Sequence, residues 1–545
     1  VGSEMCIRDR VGAFFMLELV KKNIHMNRWK TQVDTQVTLD DDFIVPDTMS
    51  DIAQVILDSG EVQLEPARVQ SEKVTIRGKL DFHVLYRKEE GGLQTLGGLI
   101  PFEEMVNVPG LEERDYVSVS WKMEDLNAGI INSRKLSIQA VVTLEVRVEA
   151  LFDTEAAVAL GALQKEDDGS GELTFPQIET KTRAVNAAAI ALRRKDTYRV
   201  KEEMTLSGSK PAIGRILWME MRLSGALARP LDGKIRLEGT LLVFLIYEGE
   251  GESETVQWLE ESIPFSGEVE MAGAVEEMIP AIDLRLVHKS IEEKPDYDGE
   301  MRELALDAVI ELDIRLYEEQ PLEILSDMYG VNRELTVETG EACFDQILTR
   351  NAGKCKISEK IQLPGGQRVL QICHSSGLVK LDQAEAGEDM LSLDGVLEVK
   401  LLYLTDDDSC PIQSVTELLP FHYDAEAPGI TKDSVWYLEQ GVEQLTAVMA
   451  GGDIVEIKAV LLLEVLVLQP VCQSVILQAQ TSPLDRRRLK EAPGIVGYVV
   501  QEKDSLWEIA KRFRTTAEHV METNGLTSEE LHPGDSLILV KEIVR

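Results

Sequence analysis

Seven histidines, at positions 25, 83, 288, 374, 422, 519 and 532, are the first candidates for chemistry in this 545-residue chain. A metal centre needs ligands at short regular spacings, and a histidine-assisted nucleophile needs its own local signature; none of the seven stands in either pattern. His83 falls on the polar side of a strand-like run and His422 follows Pro420-Phe421, positions that suit surface and turn residues. Carboxylates number 96, too many for any pair to stand out as an acid–base couple. No phosphate loop of the Walker type occurs. The runs Asp40-Asp41-Asp42 and Asp406-Asp407-Asp408 lack the alternating ligands of a calcium loop and read as turns. The chemistry therefore points to a chain without catalytic residues, metal or cofactor, and function is sought in surfaces.

The charge balance bounds those surfaces. With 56 basic and 96 acidic side chains the net charge is −40, which argues against nucleic acid or an anionic membrane as the main partner. No apolar run approaches the roughly 20 residues of a membrane-spanning helix. Val11 to Val20 is apolar but short and lacks a cleavage site, so a signal peptide is not expected. Residues 1–15 read as a non-native extension, with Met16 as the expected start. Cysteines at 6, 343, 355, 373, 410 and 472 form no CxxC pair, and unpaired cysteines favour a reducing compartment.

The elements that hold up the surfaces recur. Gly78, Leu80, Phe82, Val84 and Tyr86 alternate with polar residues; Gly239 to Tyr247 and Gly395 to Tyr403 repeat the pattern. In the middle copy Leu242, Phe244 and Ile246 make the second face apolar as well, so this strand is expected to be covered on both sides and to be the most buried of the three. Each copy is followed by an apolar-Pro-Phe triplet, Ile100-Pro101-Phe102, Ile263-Pro264-Phe265 and Leu419-Pro420-Phe421, and then by a long alternating strand. A period of roughly 160 residues is too long for a solenoid unit of roughly 20–50 and fits a domain that buries its own core. The fold class is mainly β: three tandem sandwich-like domains at 30–150, 196–320 and 354–470.

Between these domains the pattern weakens. Residues 16–30 read as a short helix, as do Ile52, Val55 and Ile56 after a cap at Asp47 or Ser50, the stretch Ala184 to Arg194, and a turn opened by Pro211. Residues 151–195 read as a linker containing a helix, 321–353 as a connecting segment, and 471–496 as a linker with a basic run at Asp485 to Lys490.

The last segment, 497–542, changes character. Tyr498-Val499-Val500 is extended, Ser505 and Glu508 form a capping box, and Leu506, Ile509, Ala510 and Phe513 mark one helix face. A second helix starts at Thr515 or Thr516 and stops at Asn524-Gly525, and Leu537 to Val540 closes a βααβ unit. Trp507 reads as core filling rather than as a platform for a sugar.

This segment resembles a LysM module through Tyr498, Val500, Asp504, Ser505, Leu506, Trp507, Ile509, Ala510, Asn524, Leu531, Pro533, Gly534, Leu537 and Ile538. The resemblance implies a shallow groove for N-acetylglucosamine glycans formed by Asp504, Ser505 and Leu506 on one side and by Asn524, Leu526, Leu531, His532, Pro533 and Gly534 on the other. Two residues depart from the pattern: Lys503 stands where the family has Gly, and Asp535 where it has Gln. These changes bring protein docking forward beside glycan binding. The repeats together with the terminal module resemble the SPOCS-domain spore coat morphogenetic proteins of endospore-forming bacteria. That resemblance implies a scaffold in the mother-cell cytoplasm at the forespore surface. Its implied partners are the coat-basement ATPase SpoIVA, docked through LysM, and other coat proteins. The alternative is a cell-wall protein anchored to peptidoglycan through LysM.

Overall fold

The computed structural model describes residues 15–167, 172–251, 255–364, 368–407, 411–484 and 493–540. Cys6, Cys410, Asp408 and the run Asp485 to Lys490 lie outside the described residues, as does most of the expected N-terminal extension.

Each repeat is built around six principal strands, to which the short strand Arg68–Gln70 is added in the first repeat and Phe15–Met16 in the third. The first has β1 (Leu19–Ile44), β2 (Ile52–Leu64), β3 (Lys73–Lys88), β4 (Leu93–Asn107), β5 (Tyr116–Asn132) and β6 (Lys135–Leu160). The second has β7 (Ile178–Thr205), β8 (Ile213–Leu231), β9 (Lys234–Gly249), β10 (Val256–Glu270), β11 (Ile279–Pro295) and β12 (Met301–Gly330). The third has β13 (Glu334–Gln362), β14 (Val369–Ala386), β15 (Met390–Thr405), β16 (Ile412–Glu426), β17 (Val435–Gly451) and β18 (Ile454–Ser482). In every repeat the first, last and fifth of these principal strands pair in one antiparallel sheet and the other three in a second, with the recurring Gly-to-Tyr strand in its centre. The two sheets close on an apolar core: Leu80, Phe82, Val84 and Tyr86 meet Ile138, Val142 and Val146 in the first repeat, and the same positions recur in the others.

The repeated triplet has a packing reason. Gly78 stands opposite Phe102, Gly239 opposite Phe265 and Gly395 opposite Phe421. A Cβ on Gly78 would come within 2.7 Å of the Phe102 ring, and one on Gly239 within 2.8 Å of the Phe265 ring. The glycine supplies the space and the aromatic ring covers the bare backbone. The proline of each triplet lies on the outer strand of its sheet, where a missing N–H is tolerated. The tyrosine two residues before the end of each central strand is buried, and its hydroxyl finds an acceptor: the Ser50 carbonyl at 3.1 Å for Tyr86, the Pro211 carbonyl at 3.3 Å for Tyr247, and Gln413 Oε1 at 3.5 Å for Tyr403.

The repeats do not behave as beads. Their first and last strands run 26 to 30 residues, far beyond the roughly 5–6 typical of globular sheets, because half of each leaves its own sandwich. A bulge marks the departure at the same place in all three, between Trp29 and Thr31, Ile190 and Leu192, and Ile347 and Thr349. An extra residue there bends the strand and turns its outer half in a new direction. The three ribbons that result pack on one another through Ala156, Val185, Ala187, Leu322, Ile324, Ala342, Phe344 and Val475. At the other end Leu57, Leu85, Trp218, Phe244, Ile246, Cys373 and Leu402, from all three repeats, share a second common core. Lys400 of the third repeat bonds Asp58 of the first at 2.7 Å, so the series closes on itself.

Several local expectations change as a result. Residues 19–30 are strand, not helix, and the basic side chains of Lys21 and Lys22 alternate on a ribbon. The helical spacing of Ile52, Val55 and Ile56 comes from two bulges in β2, between Ile52 and Gln54 and between Val55 and Leu57, which disturb the two-residue alternation. Ala184 to Arg194 is strand; its alanines serve close packing of the ribbons, with Ala187, Ala188 and Ala189 buried, and tertiary pairing overrides their helix preference. Pro211 precedes β8 without a helix. The stretches 151–160, 178–195 and 471–482 expected as linker are likewise strand. Most of 321–353 lies in β12 and β13, consecutive strands that belong to different sheets.

The middle Gly-to-Tyr strand is covered on both faces only toward its end: Phe244 and Ile246 are buried, yet Leu242 stays 41% exposed. Leu85 and Leu402 of the other copies are buried at the corresponding place, so the second covered face belongs to all three.

The expectation of unpaired cysteines is also corrected. Cys343 and Cys472 stand opposite each other in β13 and β18 and form a disulfide across 129 residues of chain. Strand register, invisible in their sequence spacing, brings them together. Cys355 and Cys373 are free thiols.

Candidate functional site

The C-terminal module consists of β19 (Ile495–Val499), α1 (Leu506–Phe513), α2 (Ala517–Asn524) and β20 (Ser536–Val540). Ser505 caps α1 by accepting the Glu508 N–H at 3.2 Å, and Thr516 caps α2 by accepting the His519 N–H at 3.1 Å. Leu506, Ile509, Ala510, Val520, Leu537 and Leu539 make its core.

The expected groove residues divide by what they do. The two loops adjoin, because Val500 exchanges backbone hydrogen bonds with Asp535 and Gly534 at 2.9 Å each. Asp504 accepts from the Tyr498 hydroxyl at 2.5 Å and the Gln501 N–H at 2.9 Å, and these bonds hold its carboxyl below the usual range. Leu506 is buried, and Leu526 and Leu531 pack against the module core. Asn524 is spent on the backbone: its amide donates to the carbonyls of Val520 and Ile538, both at 2.8 Å, and its Oδ1 accepts the Ile538 N–H at 2.6 Å. It ties α2 to β20. His532, Pro533 and Gly534 lie exposed at the loop turn, where the Asp535 carboxylate accepts the His532 N–H at 2.8 Å. Lys503 adopts the left-handed conformation at φ 74°, the geometry its family's glycine would take at lower cost.

A second face of the module is already occupied. Trp507 donates through Nε1 to Asp327 at 2.8 Å, and its ring meets Tyr329 edge to face at 4.9 Å. Lys511 donates to both oxygens of Asp327 at 2.7 Å, and Arg514 pairs with Glu334 at 2.5 Å. The Tyr329 hydroxyl donates to the Thr515 carbonyl at 2.8 Å. Burial raises the Asp327 carboxyl, but the bonds from Lys511 and Trp507 outweigh it and hold the group low. Trp507 packs against the module core, as expected, and has a second role as well. It seats the module on the tips of β12 and β13, an interface whose residues are too far apart in sequence to be read as one cluster. The one local sign is that Trp507 and Lys511, four residues apart, share a helix face beside the apolar stripe of α1.

Family models match the chain in four places. The model described as SipL, SPOCS domain, matches residues 51–131, 212–293 and 368–450, and the LysM domain model matches 498–540. Each SPOCS match begins at or near the second strand of a repeat and ends in the fifth, leaving the long ribbon strands outside. Neither a curated protein nor a solved structure matches the chain. Neither matched family is enzymatic. The chain carries three SPOCS domains and a terminal LysM domain, and in this arrangement it is similar to the SipL proteins.

Proposed function

We propose that this chain is a spore coat morphogenetic scaffold, acting at the forespore surface in the mother-cell cytoplasm, whose LysM module docks the coat-basement ATPase SpoIVA or a close counterpart. The observation that carries this reading is the inward use of Asn524. With all three of its amide bonds made to backbone, Asn524 is not offered to a ligand, while the loops around Lys503 and His532 remain on the surface. The seat on Asp327 and Glu334 supports it further, since a module held in one orientation presents those loops at a defined place on a large β scaffold. The ring of repeats supplies surfaces for other coat proteins.

The test is a binding comparison between the full chain and a chain ending at residue 492. Loss of SpoIVA capture on truncation, with no retention of the full chain on purified peptidoglycan, supports the docking role. Sedimentation of the full chain with peptidoglycan, abolished by truncation, supports the cell-wall reading instead.

A further inference from the structure

Repeats 2 and 3 meet along a seam that places two protonatable side chains in confined surroundings. Near the shared core, His374 on β14 stacks on Phe244 of β9, the rings 3.9 Å apart and 6° from parallel. Its Nδ1 lies 2.8 Å from Glu260 on β10 and its Nε2 lies 3.6 Å from Glu220 on β8, with only 12% of the side chain exposed. Arg222 on β8 pairs with Glu220, and Lys400 on β15 is held by Asp58 of the first repeat. An imidazole between two carboxylates is best satisfied when both nitrogens carry protons.

Further along the seam, Glu439 on β17 stands directly opposite Glu464 on β18, a like-charge pair across neighbouring strands. Asp283 on β11 of repeat 2 lines the same cavity, with Arg147 of β6, Arg315 of β12, Arg350 of β13 and Tyr437 of β17. Two of the arginines are committed to carboxylates, Arg315 bonding Asp283 at 2.6 Å and also reaching Glu149 and Arg350 pairing with Glu464, and Arg147 lies over the rings of Trp29 and Tyr437. Glu439 makes no ion pair among the described residues. A partly buried carboxyl beside two other acids, with Arg315 and Arg350 engaged elsewhere, is stabilised by keeping its proton.

We propose that this seam is proton-linked: His374 carries a proton, Glu439 retains one, and loss of either as pH rises weakens the join between repeats 2 and 3. The directions agree. Burial lowers the His374 pKa, but Glu220 and Glu260 outweigh it and raise the group above 6.5; its stabilisation is complete below 6.5 and is lost as pH rises through the raised value. Burial, then Glu464 and Asp283, raise Glu439 from 4.5 to about 8, so its contribution is complete below 4.5 and declines up to about pH 8. Both groups therefore favour the closed seam in acid and release it in alkali.

Amide hydrogen exchange on the full chain between pH 6 and 9, corrected for the intrinsic pH dependence of exchange, tests the proposal. Protection of β8, β14 and β17 is expected to fall by roughly tenfold or more relative to β3 of the first repeat. Glu439→Gln, neutral at every pH, should abolish the fall around β17. Glu464→Gln, which removes the opposing charge, should lessen it and serves if the first variant does not fold. His374→Gln should lower protection of β8 and β14 at pH 6 to the level the wild type reaches at pH 9. The proposal is overturned if the seam strands keep pace with β3 across the range, or if Glu439→Gln and Glu464→Gln both leave the profile unchanged.

Discussion

The indole Nε1 of Trp507 donates to the Asp327 carboxylate at 2.8 Å, joining a helix of the terminal module to a strand tip 180 residues earlier in the chain. Lys511 binds the same carboxylate, so one acidic side chain carries two of the contacts that seat the module.

Replacing Asp327 by Ala should therefore loosen the LysM module without unfolding the repeats. A charge-assisted hydrogen bond contributes about 1.5–3 kcal/mol, and partial exposure of Asp327 places the loss toward the lower end. Hydrogen exchange in α1 should accelerate several-fold while exchange in β3 stays unchanged. Because the Asp327 pKa is depressed, its contribution is present above the ordinary carboxylate range and is lost as pH falls through the depressed value. The seat should thus persist at mildly acidic pH in the native chain.

The glycine facing each triplet phenylalanine makes a sharper prediction. In Gly239→Ala the new Cβ would lie 2.8 Å from the Phe265 ring and 2.9 Å from the Ala226 Cα, and backbone cannot withdraw as a flexible side chain can. Overpacking of this kind costs about 1–3 kcal/mol. The urea midpoint should fall, and Gly233→Ala, at a turn with no atom within 4 Å of a Cβ but with φ 75°, separates backbone strain from steric overlap. If the turn variant is the more destabilised of the two, the packing explanation fails.

The disulfide gives a third. Cys343 and Cys472 close a chain segment with a separation of 129, and breaking such a cross-link destabilises a folded chain by about 2–5 kcal/mol in the chain-entropy account. Reduction should lower the melting temperature and release two additional thiols to an alkylating reagent. The double variant Cys343→Ser with Cys472→Ser should melt at the reduced temperature and no longer respond to reductant.

Within the module, Lys503 and Asn524 should respond in opposite directions. Lys503→Gly relieves a left-handed conformation and should stabilise the module by about 1 kcal/mol. Asn524→Ala removes three bonds to the backbone and leaves the Ile538 N–H and carbonyl without those partners, at a cost of about 1–3 kcal/mol. Chemical denaturation followed by exchange in α2 and β20 reads both. An Asn524 variant of undiminished stability would show that the side chain is not structural.

The repeat, its sandwich class and the βααβ module were legible in the residues because each rests on local periodicity. Leu80 to Tyr86 alternates with period two, and the α1 face repeats at three and four. Caps at Ser505 and Thr516 were equally local. The candidate groove was legible as a set of positions but not as a set of roles: Asn524 matches the module's pattern whether its amide faces a ligand or the backbone of Ile538. What only the tertiary structure decided depends on residues distant in sequence. The Cys343–Cys472 bond, the seat of Trp507 on Asp327, and the placing of His374 between Glu220 and Glu260 all arise from strand register and ring closure. So does the conversion of the expected helices and linkers into ribbons. An alanine-rich stretch such as Ala187 to Ala189 prefers a helix in isolation, and it becomes strand because it pairs with β12 and because Ala187 packs among the larger Leu322, Ile324 and Phe344 of the ribbons.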